Sequence, residues 1–511
     1  MKGKSLMIQG TTSSAGKSTL CAALLRIFRQ DGLRVAPFKA QNMALNSFAT
    51  REGLEMGRAQ VVQAEAAGIE PSARMNPVLL KPMGDRRSQV IVEGRPIGAM
   101  PAMEYERYKP QLRERIRRIY EELEAEVDAV VIEGAGSPAE INLKAGDIVN
   151  MAMAEMADAP VLLVGDINPG GVFAALYGTV KLLSAAEQKR VKGIVINKFR
   201  GDVRILEPGL AMLEDLLGIP VLGVIPWMDV DLEDEDSVTE RFSRSRGQGS
   251  VRAVIVRLPH ISNFTDFNLL GVEADVVARY ATRPEELEDA DIVLLPGTRN
   301  TIEDLEWLKA RGLAGAVQRH AQAGGMVVGV CGGYQMLGRT LRDPLHTESR
   351  LTQAEGLGLL DFDVTFREGK TTVQASGEID CAGGWLRALN GLRVDGYEIH
   401  SGENAFGADC VPFLRLNGRG EVDGVANRQG NVLGTYLHGI FDNGAFWRAL
   451  VDRVRGQKGL ARGMGAPMTM AEYREREFDR LAGIVRQNLD MDAVYAILRG
   501  EDVPCGRWAR A

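Results

Sequence analysis

Two sets of residues in this chain have types and spacing that could do chemistry. The first is a lysine in a loop of small residues, Gly10-Thr11-Thr12-Ser13-Ser14-Ala15-Gly16-Lys17-Ser18-Thr19. An apolar run, Leu6-Met7-Ile8, precedes it, and apolar positions continue from Leu20 to Phe28. Small residues let backbone N–H groups close around phosphate oxygens, and a following helix adds its positive N-terminal end. Lys17 is placed to reach the β- and γ-phosphates and the Ser18 hydroxyl to bind Mg²⁺. Five residues separate Gly10 from Gly16-Lys17, where the usual phosphate loop has four. A Ser/Thr-rich strand-to-helix turn is the bland alternative; strand, loop, Gly-Lys-Ser and helix together favour nucleotide binding.

The second set is a thiol and an imidazole. Cys331 follows the apolar run Met326–Val330 and precedes Gly332-Gly333-Tyr334-Gln335. A nucleophile on such a turn is lifted clear of the sheet, and the glycines keep side chains away from it. A helix start there lowers the thiol pKa and offers backbone N–H groups, that of Gly332 among them, to an oxyanion. A lone cysteine is more often a small buried hydrophobe, but this one has a partner. His438 lies in Gly434-Thr435-Tyr436-Leu437-His438-Gly439, again at a strand end, and Leu294-Leu295-Pro296-Gly297-Thr298 can furnish further oxyanion donors from Gly297 and Thr298. Together these make a thiol acyl-transfer site. Of the five histidines, His260, His320 and His346 have no comparable setting, and His400 could line the site without acting as base.

Other polar residues fall at strand ends near the phosphate loop. Glu133 closes the run Asp128–Ile132 and can hold the Mg²⁺ that bridges phosphates. Asp166 ends the next strand, where capping the segment after Gly170 is an equally good role. Lys39 could add positive charge near the phosphates, and Asn197-Lys198 is placed like the base-reading Asn-Lys of other nucleotide binders, without the Asp two places on.

These positions need elements to hold them. Apolar strands at 5–9, 33–37, 128–132, 160–164, 191–196 and 220–225 alternate with helices at 17–30, 104–126, 171–186 and 203–217. That alternation predicts a parallel sheet covered on both faces, with ligands at the carboxyl ends of its strands. Residues 40–100 are less regular and read as substrate-facing loop and helix. A charged, apolar-poor stretch reads as a linker over 229–250, after a first domain at 1–228. A second α/β domain spans 251–446, with strands at 252–257, 291–295, 326–330 and 432–437, helices near 301–322 and 333–341, and an antiparallel addition between 360 and 430. A helical extension occupies 447–511, with an amphipathic run from Tyr473 to Leu498.

The length of 511 residues fits two or more domains. A formal net charge of −7 argues against a nucleic-acid partner. Five scattered cysteines without a C-x-x-C pair favour a reducing compartment. No apolar run approaches the roughly 18 residues of a membrane span. A cytoplasmic protein with no membrane partner is expected.

With these motifs in place, the second half resembles class I glutamine amidotransferases. The first half resembles the dethiobiotin synthetase group of phosphate-loop ligases, whose loop shares the longer spacing. The two in this order resemble the cobyric acid synthase family. Further stretches carry that likeness: Gln41-Asn42-Met43-Ala44-Leu45-Asn46-Ser47-Phe48, Met75-Asn76-Pro77-Val78-Leu79-Leu80-Lys81-Pro82, Leu258-Pro259-His260 through Asn263-Phe264-Thr265-Asp266-Phe267, and Gly396-Tyr397-Glu398-Ile399-His400. The resemblance implies ATP and Mg²⁺ on Gly10–Thr19, with Gly10, Thr11, Ser13, Gly16, Lys17, Ser18, Thr19, Lys39 and Asn197 around the nucleotide and Ser18 and Glu133 on the metal. It implies glutamine hydrolysis at Cys331 and His438, and a corrinoid substrate, adenosylcobyrinic acid a,c-diamide, amidated at its b, d, e and g carboxylates. Gln41, Asn42, Asn76 and Lys81 are expected near that substrate. Amidotransferases of this class usually carry a Glu two positions after the catalytic His; Ile440 stands there, so the orienting group is missing or comes from elsewhere. The alternatives are a sister amidotransferase for another polycarboxylate, and a nucleotide-switch ATPase with a degenerate binding module.

Overall fold

The computed structural model describes residues 3–83, 87–230, 249–273, 275–416 and 422–508. They form two compact units: Met1–Ala44, Glu55–Glu235 and Arg474–Ala511 in the first, Leu45–Leu54 and Asp236–Tyr473 in the second. Most of the linker expected at 229–250 lies outside the described residues.

In the first unit the apolar runs become a six-stranded sheet in the order Val221–Pro226, Val191–Phe199, Val161–Asp166, Lys4–Gly10, Ala129–Glu133, Val35–Phe38. Every pairing is parallel. Val161–Asp166 and Ala129–Glu133 are buried along their whole length, as strands covered on both faces must be. The central strand pairs Ile8 with Glu133 and Gly10 with Val164, and the next pair matches Asp166 with Asn197. Chain direction alone therefore brings the phosphate loop, Glu133, Asp166 and Asn197 to one edge.

Helix Lys17–Gln30 forms as its periodicity predicts, burying Leu20, Leu24, Ile27 and Phe28. The same core takes Phe478, Leu481, Val485, Val494 and Ile497 from the end of the chain. The last residues thus return to the first unit, whereas helix Gly444–Gln457 gives Phe446, Trp447 and Leu450 to the core of the second. The amphipathic run breaks into Met470–Asn488 and Met491–Arg499, where the Asp490 carboxylate caps the second helix by accepting from the Ala493 N–H at 3.0 Å.

Two sequence expectations give way here. The irregular stretch 40–100 holds a four-stranded sheet, Gln41–Met43, Val78–Pro82, Arg87–Val92 and Arg95–Pro101, beside helix Arg58–Ala67. Its outer strand is exposed at nearly every position, so it carries no alternating pattern to read. The single helix expected over 104–126 is interrupted after Tyr108, next to Pro110, which lacks the N–H a continuing helix needs.

In the second unit five parallel strands run in the order Val276–Ala281, Val251–Val256, Ile292–Leu295, Met326–Val330, Val432–Thr435. The antiparallel addition follows as Val422–Ala426, Val411–Leu416 and the long pair Phe362–Ile379 with Arg393–Phe406. Strand Val276–Ala281, half-exposed at the sheet edge, escaped the sequence pattern. Leu295 pairs with Gly329 and Val330 with Thr435, so Gly297, Cys331 and His438 all follow the ends of three adjacent strands. Among the described residues no helix is long and apolar enough to cross a membrane.

Candidate active sites

The phosphate loop is held from several sides. Gly16 has φ +91°, and a Cβ there would overlap Asn197 Nδ2. That amide donates to the Ala15 carbonyl at 2.8 Å, and Lys198 Nζ donates to the Ser14 carbonyl at 2.6 Å and pairs with Asp166 at 2.9 Å. Asn197 Oδ1 is buried with no hydrogen-bond partner among the described residues. Asp166 also accepts from the Asn168 N–H at 2.9 Å, so it serves the loop and its own turn rather than a cap after Gly170. Lys17, 3% exposed, donates to the carbonyls of Thr12 at 3.0 Å, Ser13 at 3.2 Å and Gly136 at 3.1 Å. Three backbone carbonyls thereby hold the ammonium in place.

Glu133 sits behind Lys17 at the end of its strand, 1% exposed. Its Oε1 accepts from Ser18 Oγ at 2.7 Å and from Lys39 Nζ at 2.8 Å, and Gln63 donates to its Oε2. A hydroxyl and a carboxylate in contact are hard oxygen donors of the kind Mg²⁺ takes, the rest of its shell coming from phosphate and water. The donor set fits the ion. Lys39, expected beside the phosphates, makes an ion pair with the same carboxylate.

Gln41 is one of the four expected substrate residues. It accepts from the Tyr105 hydroxyl at 2.5 Å and lines a cavity of about 370 Å³ with Ala135, Gly136, Ser137 and Lys109. The other three are buried and bonded within the protein. Asn42 Nδ2 donates to Gln60 at 3.1 Å, Asn76 spans the Lys39 and Val78 carbonyls at 3.1 and 3.0 Å, and Lys81 pairs with Glu55 at 2.7 Å. A buried polar group needs such partners.

In the second unit Cys331 occupies a strained turn, φ +51° and ψ −110°. Such a conformation is rare for a residue with a Cβ and concentrates at functional positions. Glycine is required beside it: a Cβ on Gly333 would overlap the Leu295 carbonyl, and one on Gly332 would stand 2.7 Å from Thr298 Cγ2. The Cys331 thiol is 8% exposed and lies 3.6 Å from the Ile399 carbonyl.

His438 and Cys331 interact electrostatically. Its Nδ1 is 2.8 Å from Asp266 Oδ2, and Asp266 Oδ1 accepts from the Gly439 N–H at 3.0 Å. Both side chains are almost fully buried. Burial alone would lower the imidazole pKa; the negative charges of Asp266 and Cys331 outweigh it and raise His438 to about 10. The protonated ring is therefore favoured in this site. A Cβ on Gly297 would stand only 3.0 Å from His438 Cε1, so the oxyanion turn and the ring approach each other closely. The Thr298 hydroxyl points inward, its single proton shared between two acceptors, the His260 carbonyl at 3.0 Å and Asp304. His260, which the sequence left without a setting, holds this turn from beneath: its Nδ1 is 2.7 Å from Asp304, and that hydrogen bond raises its pKa despite burial. His400 stacks on Tyr436 at 3.8 Å.

The geometry is that of a phosphate-loop domain joined to a thiol amidotransferase, and comparison with known proteins agrees. Residues 6–237 match the CobQ/CobB/MinD/ParA nucleotide binding domain, and residues 252–446 match the CobB/CobQ-like glutamine amidotransferase domain. The chain is 51% identical to a cobyric acid synthase of Photorhabdus laumondii, over 97% of this chain and 98% of that one. It is 53% identical to cobyric acid synthases of Salmonella heidelberg and Salmonella typhimurium, over 98% of this chain and 99% of each. The chain belongs to the cobyric acid synthase family. It is an enzyme that binds nucleotide and amidates with nitrogen from glutamine. A solved PurLQS structure from Thermotoga maritima covers 45% of this chain and 97% of its own at 15% identity and a TM-score of 0.30, too remote to add to that assignment.

Asp266 is the functional residue the sequence left unassigned. It stands against the imidazole, while Ile440, two positions after His438, is fully buried in the core. It arises 172 residues upstream, on irregular helical turns over Phe264–Val272. The one sequence signal was an acid between Phe264 and Phe267, both of which are buried.

Proposed function

We propose that this protein converts adenosylcobyrinic acid a,c-diamide to adenosylcobyric acid, amidating the b, d, e and g carboxylates at the expense of ATP and glutamine in the cytoplasm. The observation that carries this is the Cys331–His438–Asp266 constellation, in a chain aligned nearly end to end with cobyric acid synthases that also keeps a braced phosphate loop.

Cys331 Sγ attacks the side-chain amide carbon of glutamine, and the carbonyl oxygen takes its charge toward the turns of Gly297, Thr298 and Gly332. His438 delivers its proton to the departing nitrogen, so ammonia leaves and a thioester remains. Water, deprotonated by His438, then releases glutamate and restores the thiol. Asp266 keeps the proton on Nδ1 and the ring aimed at sulfur.

In the first unit the carboxylate of the corrinoid attacks the γ-phosphate of ATP, the β–γ bridging P–O bond breaks, ADP leaves and an acyl phosphate forms. The oxygen of a carboxylate is a poor leaving group until it carries phosphate, which is why nucleotide is consumed. Lys17 neutralises charge spreading over the phosphates, and the loop's N–H groups hold them in place. The buried, unpartnered Asn197 Oδ1 supports adenine, whose exocyclic amine can donate to it. Ser18 and Glu133 would hold Mg²⁺, which supplies charge neutralisation there. Ammonia displaces phosphate from the acyl carbon, giving the amide.

Cys331→Ala should abolish synthesis from glutamine and leave synthesis from added ammonium; Lys17→Ala should suppress both. Loss of both activities in Cys331→Ala, or ammonium-driven product from Lys17→Ala, contradicts this division of labour.

A further inference from the structure

Residues 45–54 are encoded between two strands of the first unit, Gln41–Met43 and Glu55–Gly57, yet they belong to the second. Two lines of contact run from this segment to the Cys–His–Asp site. Along one, Phe48 packs on Tyr397 with ring centroids 5.0 Å apart, and Tyr397 stacks on the His438 imidazole at 5.2 Å with planes 17° apart. Tyr397 and His438 also exchange both backbone hydrogen bonds, at 3.1 and 2.9 Å.

Along the other, Asn46 Oδ1 accepts from the backbone N–H of Asn263 at 3.0 Å, and Asn263 Oδ1 accepts from the Ser47 N–H at 3.4 Å. Asn263 has φ +50° and opens the turn that carries Asp266, whose N–H donates back to the Asn263 carbonyl at 3.0 Å. Its Nδ2 donates to the Tyr397 hydroxyl at 3.3 Å. Asn46, Ser47 and Asn263 are all buried, so these hydrogen bonds do not compete with water.

A single hydrogen bond to Asp266 fixes where Nδ1 sits but leaves the imidazole free to rock about that bond. The stacked Tyr397 ring removes this freedom, and the Asn46–Asn263 pair sets the position of the acid itself. We propose that Asn46 and Phe48 are positioning residues for glutamine hydrolysis, with segment 45–54 holding His438 and Asp266 in register. The inference rests on reading Cys331, His438 and Asp266 as the glutaminase centre. It also means that the glutaminase is not self-contained within residues 252–446, the span matched by the amidotransferase domain.

The test uses the full-length protein with Asn46→Ala and Phe48→Leu, beside the conservative Asn46→Asp and Phe48→Tyr, which keep the acceptor oxygen and the ring. Glutamine hydrolysis, its pH profile, alkylation of Cys331 by iodoacetamide and the melting temperature are measured for each. The first pair should lose about tenfold or more in kcat with KM for glutamine changed less than about threefold, and should alkylate more slowly at neutral pH. The conservative pair should recover most of both. Full kcat in the first pair overturns the proposal. So does a loss that the conservative pair fails to restore and that follows a lowered melting temperature. Phe48 is only half-buried, so Phe48→Leu decides alone should Asn46→Ala not fold. Glutamine hydrolysis by Cys331→Ala at the unaltered rate would instead refute the glutaminase reading, whatever the segment variants do.

Discussion

Replacing Asp266 by Asn removes one charge and little volume, and its effect can be worked from the site. The His438 pKa stands at about 10 against an ordinary 6.5, with burial pulling down and the charges of Asp266 and Cys331 pulling up. That rise is worth on the order of 4–5 kcal/mol at 1.36 kcal/mol per unit. Asp266 is the strongest of the raising influences, so its loss removes about tenfold or more of imidazolium stabilisation, at about 1.36 kcal/mol per tenfold. An Asn amide facing Nδ1 also favours the wrong tautomer, and changes of that kind cost further orders of magnitude in other His–Asp pairs. We expect kcat for glutamine hydrolysis to fall by about 10²–10³, with KM for glutamine changed only a few-fold. The pH dependence has a definite sign. A folded-state pKa above the unfolded one gives stability fully present below about 6.5 and lost as pH rises through about 10. Denaturant unfolding of the unaltered protein between those values should show this loss, and Asp266→Asn should flatten it. Initial rates and iodoacetamide alkylation of Cys331 at pH 7 provide the assay. Hydrolysis within about threefold of the unaltered rate would refute the role given to Asp266.

Two further outcomes follow from the phosphate loop. Glu133→Gln should raise the Mg²⁺ concentration needed for half-maximal ammonium-driven amidation by about tenfold or more, since it replaces a charged hard donor by a neutral one; an unchanged Mg²⁺ titration would remove Glu133 from the metal site. Gly16→Ala places a methyl group on Asn197 at a backbone angle that L-residues avoid, so ATP binding measured by calorimetry should be lost while the protein still folds; unaltered affinity would contradict the bracing described for the loop.

The sites were legible in the sequence wherever chemistry falls at the carboxyl end of a parallel strand. Gly10–Thr19, Glu133, Cys331 and His438 are each announced by a buried apolar run, and the sheet registers then bring them together. Legibility ended where position depends on irregular chain. Asp266 rides on turns with no repeating pattern, and its partner lies 172 residues away. The family resemblance alone puts Asn76 and Lys81 near the substrate. Local spacing could not show that Lys81 is neutralised by Glu55 or that Asn76 bridges carbonyls. The outer strand Arg95–Pro101 is exposed on both faces and left no signature. The segment 45–54 shows the same limit on a larger scale, since its sequence neighbours belong to one unit and its contacts to the other.

The most direct measurement is the mass of the corrinoid product. Full-length protein, adenosylcobyrinic acid a,c-diamide, ATP, Mg²⁺ and glutamine should yield four successive mass losses of about one unit, each an OH replaced by NH₂ through acyl transfer. ATP consumption and glutamate release should rise in step. A corrinoid of unchanged mass, in a reaction where glutamine is nonetheless hydrolysed, would contradict the account.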